Sequence, residues 1–444
     1  MGIRVRRIEF TREMKEDYTI LCPDMAPIHF SLLEKVFRNF GYNMTVLKNT
    51  GPSVVDQGLR NVHNDTCYPA LLVIGQMIDA LNSGEYDTDR VALLITQTGG
   101  GCRASNYIHL LRKALIKAGY GHVPVISLNA GGMEKNSGFK VSFPMLKQSM
   151  ASLIYGDLLM LLYNQTRPYE RVQGESRRNL DMWIERLGEE FQSGRTIKQR
   201  EMKAMMKEIV LSFDGIHREE RSKVRVGVVG EIYVKFSSLG NNQLEEFLHR
   251  EDCEVMVPGL MGFIMYTVEN GVIDQQLYGG RFWKSLIMDR VNRYLGGLEN
   301  IMIQAVQKNS GFTTPSPFKH LKSLVDDVIG LGCKMGEGWL LPAEMMELVA
   351  KGYENIVVTQ PFGCLPNHIV GKGIVSNIKR IHPMANIVPI DYDPGATRVN
   401  QENRIKLMLS VAREKLDGVK NSAAIRVEEA LKESSKDPQP IKMR

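Results

Sequence analysis

The sequence predicts an α/β fold: two Rossmann-like parallel-sheet domains joined and covered by helical segments. Three observations predict it. Short apolar runs alternate with helical stretches of about 10–15 residues, the pattern of βαβ units and a parallel sheet. That alternation stops near Phe143 and resumes at Lys223. A chain of 444 residues is also too long for one ordinary core, so two or three domains are expected.

Residues 18–22 read as a buried strand, and PIHFSLLEKVFRNFGYN as an amphipathic helix closed by Gly41. NMTVLK is a second strand, Tyr68–Leu81 a helix and Arg90–Thr96 a third strand. Ala104–Ala118 is a helix stopped by Gly119, and VPVISLN a fourth strand, which places the first α/β domain at residues 1–142. Residues 143–222 carry Met, Leu, Lys, Arg and Glu at helical spacing and read as a helical layer. Their methionines read as core filler, since Met packs irregular interfaces well. The second α/β domain, residues 223–435, opens with KVRVGVVGEIYVKF and continues through the strand CEVMVP. It holds a mainly helical insert at 259–335 with Gly-Gly breaks at 279–280 and 296–297. The helix GEGWLLPAEMMELVAKG, the strands ENIVVTQ and ANIVPID and a closing helix from Val399 complete it, and residues 436–444 form a polar tail.

Composition bounds the function. Hydrophobic content of 43% with 24% charge describes a globular chain, and no apolar run of about 18 residues appears for a membrane span. The charged N-terminus lacks the apolar core of a secretion signal, so a cytoplasmic location is expected. The net charge of +6 is spread along the chain, without the dense basic stripe and interleaved aromatics of a nucleic-acid surface. Neither a nucleic-acid nor a membrane partner is expected.

Six cysteines exclude a disulfide scaffold. Cys22, Cys67, Cys102 and Cys364 each end a strand or open a helix, where functional loops of parallel sheets lie. Cys253 begins a strand and Cys333 lies in a glycine-punctuated loop, and both read as ordinary small hydrophobes. Gly99, Gly100 and Gly101 before Cys102 let the backbone close around something large, either a phosphate or an iron–sulfur cluster. No C-x-x-C pair occurs, which excludes zinc-ribbon and bacterial ferredoxin spacings. Gly227-x-x-Gly230 is neither a dinucleotide fingerprint nor a phosphate loop, and reads as a tight strand-to-helix turn.

The segments NDTCYPALL, QTGGGCRASNY, GEGW, QPFGCLPNHIVGKG and NIVPIDYDPGATRVNQENRIKLML resemble iron–sulfur proteins of the 2-hydroxyacyl-CoA dehydratase superfamily. The resemblance covers residues 18–417 and is greatest to the branch fused to, or encoded with, ATP-dependent CoA-dehydratase activases. It implies two Rossmann-like domains with an oxygen-sensitive [4Fe-4S] cluster in the cleft. It also implies an activase partner that couples ATP hydrolysis to one-electron transfer, and a dimer of identical or similar subunits. Relatives dehydrate 2-hydroxyacyl-CoA through ketyl radicals, reduce aromatic acyl-CoA or carry a double-cubane cluster. The implied ligands are Cys67, Cys102 and Cys364, with Cys22 as the fourth. Three ligands would leave one iron open to substrate, whereas four would make an electron relay. A double cubane would need about six thiolates and would recruit Cys253 and Cys333.

The remaining candidates have two readings each. Arg103 either donates hydrogen bonds to cluster sulfides or is a surface cation. His63 is a locally satisfied loop histidine or a donor behind the ligands. His368, one turn past Cys364, faces the cleft or packs. Glu337 is a proton-transfer carboxylate or, preferably, a cap of the helix that follows it. Asp391 and Asp393 resemble a crevice-lining pair. The rival functions are a nucleotide-binding, ATPase-like enzyme, a non-catalytic scaffold or assembly partner of the activase, and a structural zinc site.

Overall fold

The computed structural model of the chain describes residues 7–63, 65–96, 102–128, 134–194 and 198–434, the last of these by backbone alone beyond residue 418. The first sheet contains β1 (Thr19–Cys22), β2 (Met44–Val46), β3 (Val91–Thr96) and β4 (Val125–Leu128), all parallel, in the order β2-β1-β3-β4. The second contains β5 (Val224–Gly230), β6 (Cys253–Met256), β7 (Asn355–Pro361) and β8 (Asn386–Tyr392), again all parallel, in the order β6-β5-β7-β8. The two orders are the same, so each sheet has a topological switch point, between β1 and β3 and between β5 and β7. Helices cover both faces of such sheets, which is why the strands are near-continuous apolar runs. In β3, Val91–Ile95 are all buried.

The first domain carries α1 (Met14–Asp17), α2 (Pro27–Asn39), α3 (Pro52–Asn61), α4 (Tyr68–Asn82) and α5 (Tyr107–Ala118). Proline opens α2, α3 and α4 at positions whose amide has no helical partner. The helical layer is α6 (Phe143–Thr166), α7 (Glu175–Ser193) and α8 (Gln199–Asp214). The second domain adds α9 (Ile232–Phe236), α10 (Leu244–Arg250), α11 (Leu260–Tyr278), α12 (Phe282–Asn309) and α13 (Phe318–Ser323). It ends with α14 (Leu340–Ala350), α15 (Leu365–Asn367), α16 (Val375–Ile381) and α17 (Arg398–Ser434). Among the described residues no helix is long and apolar enough to cross a membrane.

One expected break is absent. Gly279 and Gly280 turn the chain with φ of 76° and 134°, but Gly296 and Gly297 lie inside α12. Each glycine costs about 1 kcal/mol in a helix interior. Burial of Leu295, Leu298, Ile301 and Met302 outweighs that cost and carries the helix through.

The spine between the domains is α6, buried almost all round and packed against α2 on one side and β6 and α11 on the other. Its Asp157 is a polar clamp. One carboxylate oxygen lies 2.7 Å from Nε2 of His29 on α2, and the same group accepts the Leu260 and Met261 amides at 2.7 and 2.9 Å. The amides at the N-terminus of α11 thereby gain an acceptor inside the protein, where one left bare would be costly. Apolar residues of both domains form a single continuous core around this spine.

Candidate functional site

In open α/β sheets ligands bind beyond the carboxyl ends of strands at the switch point. Here both sheets send a cysteine into that position. Cys102 follows β3, although Gly99–Gly101 lie outside the described residues. Cys364 follows β7 after Phe362 and Gly363. Cys67, immediately before α4, joins them, because the Phe362–Gly363 loop packs against it. Tyr68 N donates to Phe362 O at 3.0 Å, so the second domain completes the first turn of α4. Gly363 has φ +75°, and a Cβ there would stand 3.0 Å from Cys67 Cα. Only glycine meets both demands.

All three sulfurs sit at the start of helical turns. Ala104 N donates to Cys102 Sγ at 3.5 Å, and the amides of Ala70 and Asn367 bond the Cys67 and Cys364 thiols. Such amides and the helix dipole favour negative charge on sulfur. Burial works the other way: it pushes the Cys67 thiol up to about 11, with the Tyr107 hydroxyl at 3.0 Å partly offsetting it. Burial likewise raises Cys102, and raises Cys364 further with the charges of Glu337 and Glu231. As they stand, the three thiols keep their protons at neutral pH. They are electrostatic neighbours: Cys102 acts on both Cys67 and Cys364, and Glu231 acts on all three.

A buried carboxyl pair forms the adjoining wall. Glu231, directly after β5, accepts the Val234 amide at 2.9 Å and caps α9. Glu337 accepts the Ile232 amide of the same helix at 2.9 Å. It therefore caps α9, from a distant segment, and not the following α14. Its other oxygen is buried without a hydrogen-bond partner among the described residues. Burial, then the charge of Glu337, pushes Glu231 up to about 8, and burial also raises Glu337. The pair thus holds a proton at neutral pH. Nearby, the carboxamide of Asn367 and Oε1 of Gln360 are also buried without partners among the described residues.

Cys22 is not brought into this group. It ends β1 fully buried, with Sγ 3.6 Å from Pro23 O, and the charges acting on it are Asp24 and Glu34. Arg103 is exposed, and its guanidinium bonds the Asp65 carbonyl, tying the Cys102 turn to the loop before Cys67. Arg103→Ala is accordingly expected to cost less than about 1 kcal/mol in urea unfolding. His63 is exposed and bonds Asp65 locally. His368 is half-buried at the start of a π-turn, and its imidazole has no hydrogen bond among the described residues. Cys253 bonds Glu251 O at 3.5 Å, and Cys333 sits half-buried in a loop; neither acts on the three thiols. Asp391 lies 3.7 Å from Arg404, and Asp393 accepts the Gly395 amide at 2.7 Å.

The Gly227–Gly230 segment is a close-packed turn. A Cβ on Gly227 would come within 2.7 Å of Leu348, and one on Gly230, at φ +146°, within 2.3 Å of Thr359 O. The N-terminus of α9 beyond it already takes two carboxyl groups, where a phosphate would meet like charge.

Fold and site together define an α/β protein of two parallel sheets in which three cysteines and a buried carboxyl pair lie within electrostatic reach of one another. Among the described residues, no group of three or more His, Cys, Asp or Glu side chains is drawn together tightly enough to hold a metal ion. The chain matches no protein-family model and no curated protein.

Proposed function

We propose that this chain holds an iron–sulfur cluster on Cys67, Cys102 and Cys364 and passes single electrons through it, as 2-hydroxyacyl-CoA dehydratase-type proteins do. The observation that carries this reading is that three thiols from two domains, each at the start of a helical turn, lie within electrostatic reach, Cys102 acting on both Cys67 and Cys364. The donor chemistry fits, since thiolates suit iron–sulfur chemistry and turn amides offset the negative charge a cluster brings. The three thiols would have to draw closer together to share one cluster. Unpartnered hydrogen-bonding capacity also surrounds the thiols, at Glu337, Gln360 and Asn367. The bound group supplies one-electron chemistry and, with three thiolates, an iron open to substrate.

The chain's own residues supply the rest. Tyr107 orients the Cys67 sulfur, and the Phe362–Gly363 loop seats the second domain against Cys67. The Glu231–Glu337 pair keeps a proton within reach of the reacting group. Electrons come from a separate ATP-dependent activase, and the reaction served is radical dehydration or reduction of an acyl-CoA, with a related subunit completing the assembly.

The test is iron and acid-labile sulfide after strictly anaerobic purification, with an electron paramagnetic resonance spectrum of the dithionite-reduced sample. About four irons per chain are expected, lost in Cys67→Ser and Cys364→Ser and kept in Cys253→Ser. Retention in Cys22→Ser marks three ligands, and loss marks four. A folded, iron-free protein sinks the redox reading.

A further inference from the structure

We propose that the hairpin of α11 and α12 is a docking arm for a helical protein partner whose apolar seam is flanked by acidic residues. Around its Gly279–Gly280 turn, residues 276–284 are all exposed. Along α12, Trp283, Ile287, Val291 and Tyr294 are 74%, 62%, 38% and 40% exposed. At 3.6 residues per turn, these positions fall within an arc of about 80° and run for about 16 Å. A different face of α12 is already occupied: Met288 packs over Gly271 of α11, and Leu295 is buried. The exposed stripe has the width of a helix-to-helix seam. Along α12 beyond Trp283 it is narrower than the broad apolar face with which a helix lies on lipid. Leu277, Tyr278 and Phe282 widen the exposed apolar surface at the hairpin tip, so lipid is one outcome of the test.

Charge chooses the occupant. On the helical wheel, Arg290 borders the seam on one side and Lys284 on the other. Residues 281–294 contain four cations, Arg281, Lys284, Arg290 and Arg293, and one acid, Asp289, which Arg293 holds at 2.8 Å. Arg281, Lys284 and Arg290 have no ion-pair partner among the described residues. A second copy of this chain, packed parallel or antiparallel across the seam, would set cations against cations. A partner helix with Glu or Asp along both margins removes that conflict and adds steering at a distance.

The arm also adjoins the crevice. Lys334 pairs with Asp274 of α11, and the Tyr278 hydroxyl would lie 3.2 Å from a Cβ on Gly332. Both residues belong to the loop that runs on to Glu337. The α11 limb of the arm thus touches the segment that leads to Glu337. This inference does not depend on what the crevice binds.

The experiment uses the purified full chain and two labelled synthetic helices of about 28 residues, long enough to form when bound. Both carry Leu at the seam positions of a heptad; one has Glu on the flanks and the other Lys. The Glu helix is expected to bind, with at least a tenfold loss of affinity on raising salt from about 0.05 to 0.3 M. Ile287→Asp and Trp283→Ala should each weaken it tenfold or more, while Leu407→Asp, on a distant exposed position, leaves it unchanged. All these side chains are exposed, and circular dichroism confirms folding of each variant. No binding, or equal binding of both helices, overturns the proposal. So does light scattering that shows a dimer lost in Ile287→Asp, which assigns the seam to a second copy. Sedimentation with phosphatidylcholine–phosphatidylglycerol vesicles, lost in the same variant, assigns it to lipid and likewise overturns the proposal.

Discussion

Glu231→Gln is expected to make the metal-free protein more stable at pH 8.5 and to flatten its stability between about pH 4.5 and 8. The folded Glu231 carboxyl keeps its proton up to about 8, against 4.5 for an ordinary glutamate. Between those values the folded chain binds more protons than the unfolded chain, so wild-type stability falls as pH rises. The contribution is complete below pH 4.5 and gone above pH 8. The fall is shared with the neighbouring Glu337 carboxyl, which burial also raises, so the variant is expected to lose most but not all of the slope. Glutamine keeps an oxygen for the Val234 amide, mimics the protonated acid and does not titrate. Urea unfolding at pH 5 and pH 8.5 checks this, and equal slopes in wild type and variant would refute it.

Gly363→Val is expected to lose about 3 kcal/mol or more and to separate the Cys364 loop from Cys67. A left-handed backbone costs a branched side chain about 1–2 kcal/mol. The new Cβ also stands 3.0 Å from Cys67 Cα, so the loop must withdraw and the Tyr68–Phe362 hydrogen bond at 3.0 Å is endangered. Gly84 is the control: it shares a φ of +78° but has nothing within 4 Å of its would-be Cβ. Gly84→Val should show the backbone cost alone. If both variants lose the same stability and bind the same iron, the close approach at Gly363 has no role in the site.

The sequence made the layers legible because strand and helix periods differ, and α6 and β5 begin at Phe143 and Val224, where the pattern changes. Cys67, Cys102 and Cys364 were legible because each stands between a regular element and a loop. Cys22 met the same criterion and is not gathered with them. In an all-buried strand the pattern cannot say which face a side chain takes, and this thiol is enclosed among core residues. Glu231 escaped notice because an acid after a strand reads as a helix cap, which it is. Its second role depends on Glu337, brought in by a separate segment. The Trp283–Tyr294 seam was hidden for a similar reason: spacing marks an apolar helix face, but only packing shows which face is left bare.

The shared strand order gives the crevice a direction. Cys102 after β3 and Cys364 after β7 occupy topologically equivalent places, each following the strand next to the switch point of its own sheet. Among the described residues, Cys67 with Tyr107 has no such counterpart, whereas Asp24 after β1, its carboxyl pushed up to about 7 by burial, stands where Glu231 stands after β5. The first domain thus contributes two thiols, and the second contributes one thiol and the carboxyl pair. Under the proposed function, a molecule held between them would meet the protonated pair on the second-domain side alone, which would set the face on which a proton arrives.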